Sequence, residues 1–296
     1  MINILVIDDD DGDVRMVSLT LKKARSPYAL ATAGTLAEGV ARLAGGGIDL
    51  VLLDLGLPDS HGLDTVDRVS SAFAHIPIVV LTGLNSEDAG LEAIRRGASD
   101  YLIKDDLSAE TLSRTIRYAL ERKRLEQRLV YLASHDTLTG ELNRRTFEDA
   151  VTRAVLRARR GRISALLLFD VDRFKLVNDT LGHAAGDSVL VGIVKLVQDQ
   201  LRAEDVLARV GGDEFAALLE GVPLPEAGGV AERIRAAVAE WSAGSGLDVP
   251  PTLSIGLVEI DGQLEHEALI HQADGCLYEA KKGGRNQVVG PCMPQR

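Results

Sequence analysis

Two carboxylates directly follow two glycines in the C-terminal half of the chain, at Gly211-Gly212-Asp213-Glu214. Apolar residues lie on both sides of this break within residues 209–220, which predicts a β-hairpin with the tetrapeptide at its tip. Because glycine can take a positive φ and has no Cβ, a bulky anion could come close to the backbone there. The two carboxylates could then hold a divalent cation against that anion. The alternative is an ordinary solvated turn.

A second group of carboxylates follows a stretch that is typical of a buried strand. Residues 163–169 are apolar throughout, and Asp170-Val171-Asp172 comes directly after them. A carboxylate at the end of a central strand, beside another on a neighbouring hairpin, is the layout of a two-metal nucleotidyl-transfer site. The two segments together favour metal-dependent chemistry on a phosphate group.

The C-terminal part of the chain resembles a GGDEF domain, the diguanylate cyclase, in three segments that occur in the family's order. These segments are residues 169–187, 209–215 and 280–286. The resemblance implies that two GTP molecules are condensed into cyclic di-GMP with release of two pyrophosphates. The predicted βαββαβ-like order of elements agrees with an α+β, ferredoxin-like cyclase palm.

The resemblance also implies a role for individual side chains. Asp170, Asp213 and Glu214 would hold Mg²⁺ together with the carbonyl of Val171, and Asp213 is the family's candidate proton acceptor. The expected substrate-binding residues are Gly211 and Gly212 beside the anion, Lys175, Lys281 and Arg285 at the triphosphate and transition state, and Asn178 and Asp187 at guanine. We expect a structural role for Asp172. The family usually has an apolar residue where Glu141 stands, which affects local packing.

Arg202 and Asp205 precede the hairpin and resemble the family's RxxD inhibitory site, at which product dimers bind. An arginine can fork onto phosphate and guanine together, and Asp205 could orient it. The alternative is a local ion pair within one helical turn, which contributes little on a surface. Because one hairpin site holds one GTP, we also expect two protomers to face each other as a homodimer.

Polar side chains follow the predicted strands of residues 1–106. Apolar runs alternate there with helical patterns, which predicts a doubly wound parallel sheet covered on both faces. The runs are residues 2–7, 28–33, 48–53, 76–81 and 101–103. Polar groups at the carboxyl ends of such strands converge on one edge, and here they are Asp8, Asp9, Asp54, Thr82 and Lys104. Clustered carboxylates raise one another's pKa unless a cation such as Mg²⁺ offsets the repulsion.

This segment resembles a response-regulator receiver domain with a flavodoxin-like fold. The resemblance implies phosphorylation of Asp54 by a cognate histidine kinase. The implied Mg²⁺ ligands are Asp8, Asp9, Asp54 and the carbonyl of Gly56. Thr82 and Lys104 would sense the phosphoryl group, and Tyr101 would be the switch aromatic. The family often has proline where Asp105 stands, which could alter the loop after Lys104.

A long helix is predicted between the two domains, because residues 107–133 contain neither proline nor glycine. We place the receiver at residues 1–106, the helical linker at 107–135 and the cyclase domain at 136–296. Ser108 could cap the helix, which continues the last receiver helix. Leu125, Leu129 and Leu132 follow a heptad spacing and predict a short coiled coil that supports dimerisation.

Composition restricts the classes of function. The chain has 296 residues, 33 basic and 44 acidic side chains and a net charge of −11. This acidity argues against binding to nucleic acid or to an anionic membrane. The two cysteines, Cys276 and Cys292, fit a reducing compartment, and no apolar stretch approaches the length that spans a bilayer. We expect a soluble, cytoplasmic protein.

Two other functions remain open from the sequence. In the first, the GGDEF domain is catalytically silent and only senses cyclic di-GMP or GTP under control of the receiver. In the second, the chain is a phosphorylation-switched scaffold that acts through its linker coil. A DNA-binding response regulator is disfavoured, because the C-terminal half is acidic and lacks a recognisable helix-turn-helix.

Overall fold

A computed structural model describes residues 1–24, 27–83, 87–244 and 250–291 of the chain. Cys292 lies outside these described residues. The chain forms two compact units, Met1–Val130 and Tyr131–Arg296, and the boundary between them falls within the predicted linker.

The first unit contains a five-stranded parallel sheet in the order β2-β1-β3-β4-β5. The strands are β1 (Ile2–Ile7), β2 (Tyr28–Ala33), β3 (Leu50–Asp54), β4 (Ile78–Thr82) and β5 (Asp100–Ile103). The helices are α1 (Asp11–Lys22), α2 (Leu36–Ala44), α3 (Leu63–Ala72), α4 (Glu87–Arg95) and α5 (Ala109–Ser134). This order is the flavodoxin-like form of the doubly wound fold, so the predicted fold class is confirmed.

Burial on both faces explains why the central strands are apolar throughout. Alternate residues of β1 and β3 point to opposite sides, so Leu5 and Val51 enter one core, whereas Ile4 and Leu50 enter the other. All four side chains are fully buried. The chain order reverses between β1 and β3, and the carboxyl ends of these strands therefore carry the crevice in which such folds bind ligands.

Helix α5 extends far beyond the core of the first unit. The hydroxyl of Ser108 accepts a hydrogen bond from the backbone N–H of Thr111 at 3.1 Å, as expected for a capping residue. Leu112 and Ile116 are fully buried against the sheet. Further along, Leu125, Leu129 and Leu132 are 55%, 67% and 39% exposed, so the predicted seam is open to a partner.

The second unit contains a six-stranded sheet in the order β11-β10-β7-β9-β8-β6. Its strands are β6 (Leu142–Asn143), β7 (Ser164–Asp172), β8 (Val206–Arg209), β9 (Glu214–Leu219), β10 (Thr252–Ile260) and β11 (Val288–Val289). Its helices are α6 (Arg144–Ala158), α7 (Phe174–Leu181), α8 (His183–Gln198), α9 (Leu224–Ala243) and α10 (His266–Lys282). The four central strands are antiparallel and confirm the ferredoxin-like palm with its hairpin of β8 and β9. The sequence did not predict α7 or the short edge strands.

Strand β7 separates two hydrophobic cores. Phe169 and Val171 point towards α8 and α9, whereas Leu166 and Leu168 point towards α6 and α10. By this alternation Asp170, at the end of the strand, lies on the side of α6 and α10. No helix in the described part of the chain combines the length and the apolar character that crossing a membrane requires.

Candidate active site and phosphoacceptor site

The register of β7 and β9 brings the predicted cyclase carboxylates together. Asp170 pairs with Glu214 across the antiparallel ladder. The backbone N–H of Val171 donates to the carbonyl of Asp213 at 3.0 Å, which fixes the hairpin turn against the end of β7. Asp170 is buried, Asp213 is half-buried and Glu214 is exposed. The three carboxylates thus lie at the same end of the central strands, although their oxygens do not share the mutual spacing of 4.8 Å or less that the described residues show at Asp8, Asp9 and Asp54.

Burial and neighbouring carboxylates make Asp170 hard to ionise. Desolvation is the largest cause that raises its pKa to about 6, and the charges of Asp213 and Asp172 add to the effect. The ammonium group of Lys281 lies 2.7 Å from the Asp170 carboxylate and only partly offsets the rise. A second cation would stabilise the ionised form, so this donor set fits Mg²⁺.

The glycines of the hairpin tip contribute through their lack of a Cβ. Neither Gly211 nor Gly212 is among the residues with positive φ. A Cβ at Gly211 would lie 2.6 Å from a carboxylate oxygen and 3.1 Å from the Cβ of Glu214, so the Glu214 side chain would have to move, whereas a Cβ at Gly212 would meet no protein atom within 4 Å. The close approach at Gly211 therefore depends on the missing Cβ and not on a positive φ.

Arg209 is a positioning residue that the sequence reasoning did not single out. Its guanidinium donates to the carbonyl of Gly212 at 2.6 and 3.1 Å and to the carboxylate of Asp136 at 3.1 and 3.3 Å. Although burial works in the opposite direction, the hydrogen bonds from Thr139 and Arg209 lower the pKa of Asp136. The available signals were an arginine two residues before the first glycine and an aspartate at the start of the cyclase domain.

Asp172 has the structural role that the sequence predicted. Its buried carboxylate accepts hydrogen bonds from Thr252 and Ser254, each at 2.7 Å, and from the backbone N–H of Asn286 at 3.1 Å. Arg285 lies 4.0 Å from the same carboxylate and has a left-handed φ of 66°. Asp172 therefore anchors the segment that presents Arg285.

The predicted guanine-reading residues lie at the junction of α7 and α8. The carboxamide oxygen of Asn178 is buried and has no hydrogen-bond partner among the described residues. A Cβ on Gly186 would lie 1.9 Å from that oxygen, so only glycine fits beside it. The neighbouring Asp187 is exposed, as is Lys175 on α7. The carboxamide oxygen of Asn178 is therefore a buried acceptor that a hydrogen-bond donor of a ligand could satisfy.

Arg202 and Asp205 lie in a turn between α8 and β8 rather than in a helical turn. The Asp205 carboxylate accepts the backbone N–H groups of Arg202 at 2.9 Å and Glu220 at 3.1 Å. In the described structure no ion pair joins it to the Arg202 guanidinium, so the alternative of a local ion pair does not form, and orientation of that guanidinium by Asp205 stays a prediction. Asp205 instead shapes the loop that displays Arg202.

The predicted phosphoacceptor site forms at the carboxyl ends of β1 and β3. Oxygens of Asp8, Asp9 and Asp54 lie within 4.8 Å of one another, a spacing that fits a shared divalent cation. The ammonium group of Lys104 lies 2.9 Å from Asp8 and 2.8 Å from Asp54. Lys104 also binds Asp13 on α1, a carboxylate that the sequence reasoning missed.

Electrostatics in this crevice follow from burial and ion pairing. Burial opposes the charge of Lys104, but hydrogen bonds to Asp13, Asp54 and Asp8 outweigh it and raise the pKa of Lys104. Burial raises the pKa of Asp8, although Lys104 opposes the shift. The backbone N–H of Gly56 donates to Asp54 at 2.6 Å, so the loop after β3 already closes over the acceptor carboxylate.

The predicted switch residues flank this crevice. Thr82 is buried at the end of β4 and its hydroxyl is 3.5 Å from the Leu102 carbonyl. The half-buried ring of Tyr101 packs on α4, where a Cβ on Gly90 would lie 2.5 Å from it. Asp105 lies in a single 3₁₀ turn, Lys104–Asp106, which follows β5 directly.

The other departure from the family pattern, Glu141, is half-buried in the second unit. Its carboxylate accepts a hydrogen bond from the side chain of Gln198 on α8 at 2.5 Å. Burial raises the pKa of Glu141, and the charge of His135 opposes the shift. The polar residue is thus accommodated by a partner across the packing interface.

A flavodoxin-like domain with a carboxylate crevice, joined by a helix to a cyclase palm, defines a response regulator with a nucleotide-cyclase output domain. The profile of the response regulator receiver domain matches residues 4–117, and that of the GGDEF diguanylate cyclase domain matches residues 133–287. The chain belongs to the GGDEF diguanylate cyclase family and carries a response regulator receiver domain.

Curated relatives and solved structures agree with this assignment. The chain is 32% identical to the response regulator PleD of Caulobacter vibrioides over 97% of its own length and 65% of that protein's length. It is 41% identical to the diguanylate cyclase DgcM of Escherichia coli over 57% of the chain and 41% of that protein. The chain therefore spans less than two thirds of these relatives.

Among solved structures, the coiled coil and GGDEF domain of DgcB from Caulobacter crescentus, in complex with c-di-GMP, matches 62% of this chain and 97% of that one. The identity is 30% and the TM-score is 0.55. The diguanylate cyclase SiaD of Pseudomonas aeruginosa, in complex with its activator SiaC, matches 86% of this chain and 87% of its own chain. The identity is 28% and the TM-score is 0.51.

Proposed function

We propose that this protein is a diguanylate cyclase that condenses two GTP molecules into cyclic di-GMP when its receiver is phosphorylated. The observation that carries the proposal is the pairing of Asp170 with Glu214 in the β7–β9 ladder. The turn residue Asp213 lies beside that pair, and Lys281 lies 2.7 Å from Asp170. An acidic metal site with a cation at its edge suits a triphosphate substrate.

In the proposed reaction the 3′-oxygen of each GTP forms a bond to the α-phosphorus of the other. The bond from that phosphorus to pyrophosphate breaks, and the proton of each 3′-hydroxyl leaves to a base, for which Asp213 is our candidate. Asp170, Asp213, Glu214 and the Val171 carbonyl would hold Mg²⁺. When bound, Mg²⁺ would lower the hydroxyl pKa and neutralise charge on the phosphoryl oxygens.

Cationic side chains would bind the triphosphate. Lys281 pairs with Asp170 in the described structure, and we propose that it turns to the phosphates once a metal ion neutralises that carboxylate. Lys175 and Arg285 are exposed beside the same strand end and would complete the cationic side of the site. All three would then stabilise charge that develops on the leaving pyrophosphate.

Guanine selection would come from α7 and α8. The unpartnered Asn178 oxygen is an acceptor for an amine of the base, and Asp187 could accept from guanine N1 and its exocyclic amine. Adenine offers no such pair of donors on that edge. Loss of a hydrogen-bond partner at a site built around it is costly, so GTP would be preferred over ATP.

Catalysis would need two protomers, because each half-site holds one GTP. The exposed heptad seam at Leu125, Leu129 and Leu132 supports pairing of two α5 helices. Such a seam is short and only marginally stable by itself, so the receivers would contribute to the equilibrium. Control of dimer geometry is then the means by which the receiver acts.

Phosphorylation of Asp54, with Mg²⁺ on Asp8, Asp9, Asp54 and the Gly56 carbonyl, would provide that control. The new negative charge would draw Lys104 and Thr82 towards it and free space for Tyr101 to move. Lys104 already bonds Asp54 at 2.8 Å, so it can report a change of charge without a large displacement. The phosphodonor would be a histidine kinase.

Product inhibition would use the displayed Arg202. Its loop is held by the two backbone hydrogen bonds of Asp205, so the guanidinium is left to bind phosphate and guanine of cyclic di-GMP. We propose Asp205 as the residue that shapes this loop. Its replacement would weaken inhibition through the loop's conformation.

The proposal is tested with purified protein, GTP and Mg²⁺, with cyclic di-GMP quantified by mass spectrometry. We expect turnover that is lost in Asp213→Ala, while GTP binding is retained. A rate that rises with protein concentration would support the dimer requirement, and full activity at high dilution would contradict it. Tight GTP binding without any product would favour the alternative in which the domain is a nucleotide sensor.

A further inference from the structure

A cavity of about 450 Å³ lies at the edge of the first unit that is opposite the phosphoacceptor crevice. It is bounded by the amino-terminal ends of the central strands and by the part of α5 that extends past the receiver core. Its size is within the range of pockets for small organic ligands. Neither the proposed cyclase reaction nor phosphorylation of Asp54 uses it.

One part of the lining is apolar and aromatic. Ile2, Pro77 and Leu120 line the cavity together with the ring of Tyr28. Ile2, Tyr28 and Leu120 also pack against the hydrophobic core of the unit, which holds this wall in place. A flat or compact apolar body could rest on such a surface.

The other part of the lining is cationic. Arg117, Lys123 and Arg124 border the cavity from α5, where Arg117 lies about two helical turns before the other two. Lys123, whose side chain is 25% exposed, pairs with Glu126 at 3.4 Å, and Arg124 lies 3.9 Å from Glu121. Arg117 has no carboxylate partner in the ranges that the structure describes, and its guanidinium lies 5.7 Å from the centre of the Tyr118 ring. The acidic lining residues are partly engaged, since Asp49 accepts the backbone N–H of Asn3 at 2.7 Å. Arg117 is therefore the lining cation whose charge no carboxylate offsets, and it favours an anion.

An unsatisfied hydroxyl gives independent support for a ligand. The Oγ of Ser113, which also lines the cavity, is buried and has no hydrogen-bond partner among the described residues. Buried hydroxyls are normally paired, so this atom lacks the partner that a ligand oxygen would supply. Ser113 lies one helical turn from Arg117, so a single anionic group could reach both side chains.

The wall formed by α5 is attached to the receiver by side-chain hydrogen bonds. Gln127 donates to the carbonyl of His75 at 3.1 Å, and Arg122 donates to the carbonyl of Ser99 at 3.4 Å. These bonds hold the extended part of the helix over the strand ends, so the cavity belongs to the folded receiver unit. The site is therefore formed before any ligand arrives.

We propose that this cavity binds a small organic anion, with its apolar body against Tyr28 and Leu120 and its anionic group against Ser113, Arg117 and Lys123. The probe for the test is 8-anilinonaphthalene-1-sulfonate, which combines an aromatic body with a sulfonate. Its uncharged analogue, N-phenyl-1-naphthylamine, has the same rings without the anion. Both report binding to the full chain by an increase in fluorescence.

We expect saturable binding of the sulfonate probe and binding of the uncharged analogue that is about tenfold weaker, because the cations contribute only to the first. Arg117→Gln should weaken binding of the sulfonate probe by about fivefold to tenfold. Added salt should reduce the difference in affinity between this variant and the unaltered protein. Arg114→Gln is the matched control, since Arg114 is an exposed arginine on the same helix that does not line the cavity. It should bind the probe as the unaltered protein does.

Ser113→Ala provides a second variant that changes neither charge nor apolar area by much. We expect it to weaken binding of the sulfonate probe by about threefold and to leave binding of the uncharged analogue unchanged. Equal probe affinity in Arg117→Gln and Arg114→Gln would overturn the proposal. Equal binding of the two probes to the unaltered protein would also overturn it, since binding would then be to exposed apolar surface such as the α5 seam.

Discussion

Arg209 offers a direct test of how the catalytic hairpin is held in place. The substitution Arg209→Lys keeps the positive charge but loses the planar fork that bonds Gly212 and Asp136 at once. A lysine can reach only one of these partners. The side chain at position 209 therefore loses its bond either to the carboxylate of Asp136 or to the carbonyl of Gly212. The Arg209 side chain is only 15% exposed, so water does not fully replace the lost bonds.

The magnitude follows from the bonds that are lost. Hydrogen bonds that involve a charged group contribute about 1.5–3 kcal/mol, and one such interaction remains, so we expect a loss of about 2 kcal/mol. For a domain of this size that corresponds to a decrease in melting temperature of about 4–8 °C. Displacement of the turn by about 1 Å would also shift Asp213 and Glu214 and reduce turnover by about a hundredfold.

The assay combines thermal unfolding with the rate of cyclic di-GMP formation. A double-mutant cycle with Asp136→Asn should give a coupling energy of about 1–3 kcal/mol, because the two side chains are in contact. Arg160→Lys is the control, since Arg160 is exposed and close in sequence to no site residue. Unfolding and turnover of Arg209→Lys that match those of Arg160→Lys would refute the reasoning.

Three further changes test other parts of the account. Gly211→Ala should raise the Mg²⁺ concentration needed for half-maximal turnover, because its Cβ would displace Glu214, and an unchanged Mg²⁺ titration would contradict this. Glu141→Gln should raise the melting temperature at pH 8 and have little effect near pH 4.5. The folded-state pKa of Glu141 is raised, so its destabilising effect appears as pH rises through that pKa; equal shifts at both pH values would oppose this. Asp13→Asn should slow phosphorylation little but lower the melting temperature of the receiver, as measured by calorimetry, because Lys104 loses one carboxylate.

Much of the fold could be predicted from the sequence because its pattern is strong. Strands that are buried on both faces are apolar throughout, so the βα alternation predicted a doubly wound parallel sheet, whereas the flavodoxin-like form came from the resemblance to a receiver domain. In the second unit the hairpin and the end of β7 are adjacent in any ferredoxin-like sheet, so the approach of Asp170 to Glu214 could be inferred. Helix α7 was missed because it is short and only Gly182, with φ of 82°, separates it from α8.

Contacts between distant segments could not be predicted in the same way. Asp13 and Lys104 are 91 residues apart, so their contact depends on how α1 packs within the first unit. Arg209 and Asp136 are 73 residues apart, so their contact depends on how the start of the cyclase domain packs within the second unit. The reason for Gly211 depends on the rotamer of Glu214, which the sequence does not contain. Similarly, the alternative of a helical ion pair between Arg202 and Asp205 does not form, because the Asp205 carboxylate accepts hydrogen bonds from backbone N–H groups in a turn.

The central claim is that phosphorylation of the receiver controls the cyclase. The most direct measurement is cyclic di-GMP production from GTP and Mg²⁺ with and without beryllofluoride, which mimics a phosphoryl group on Asp54. We predict a large increase in rate with beryllofluoride, and no increase in Asp54→Ala. An equal rate in the presence and absence of beryllofluoride, from an active protein, would contradict the claim.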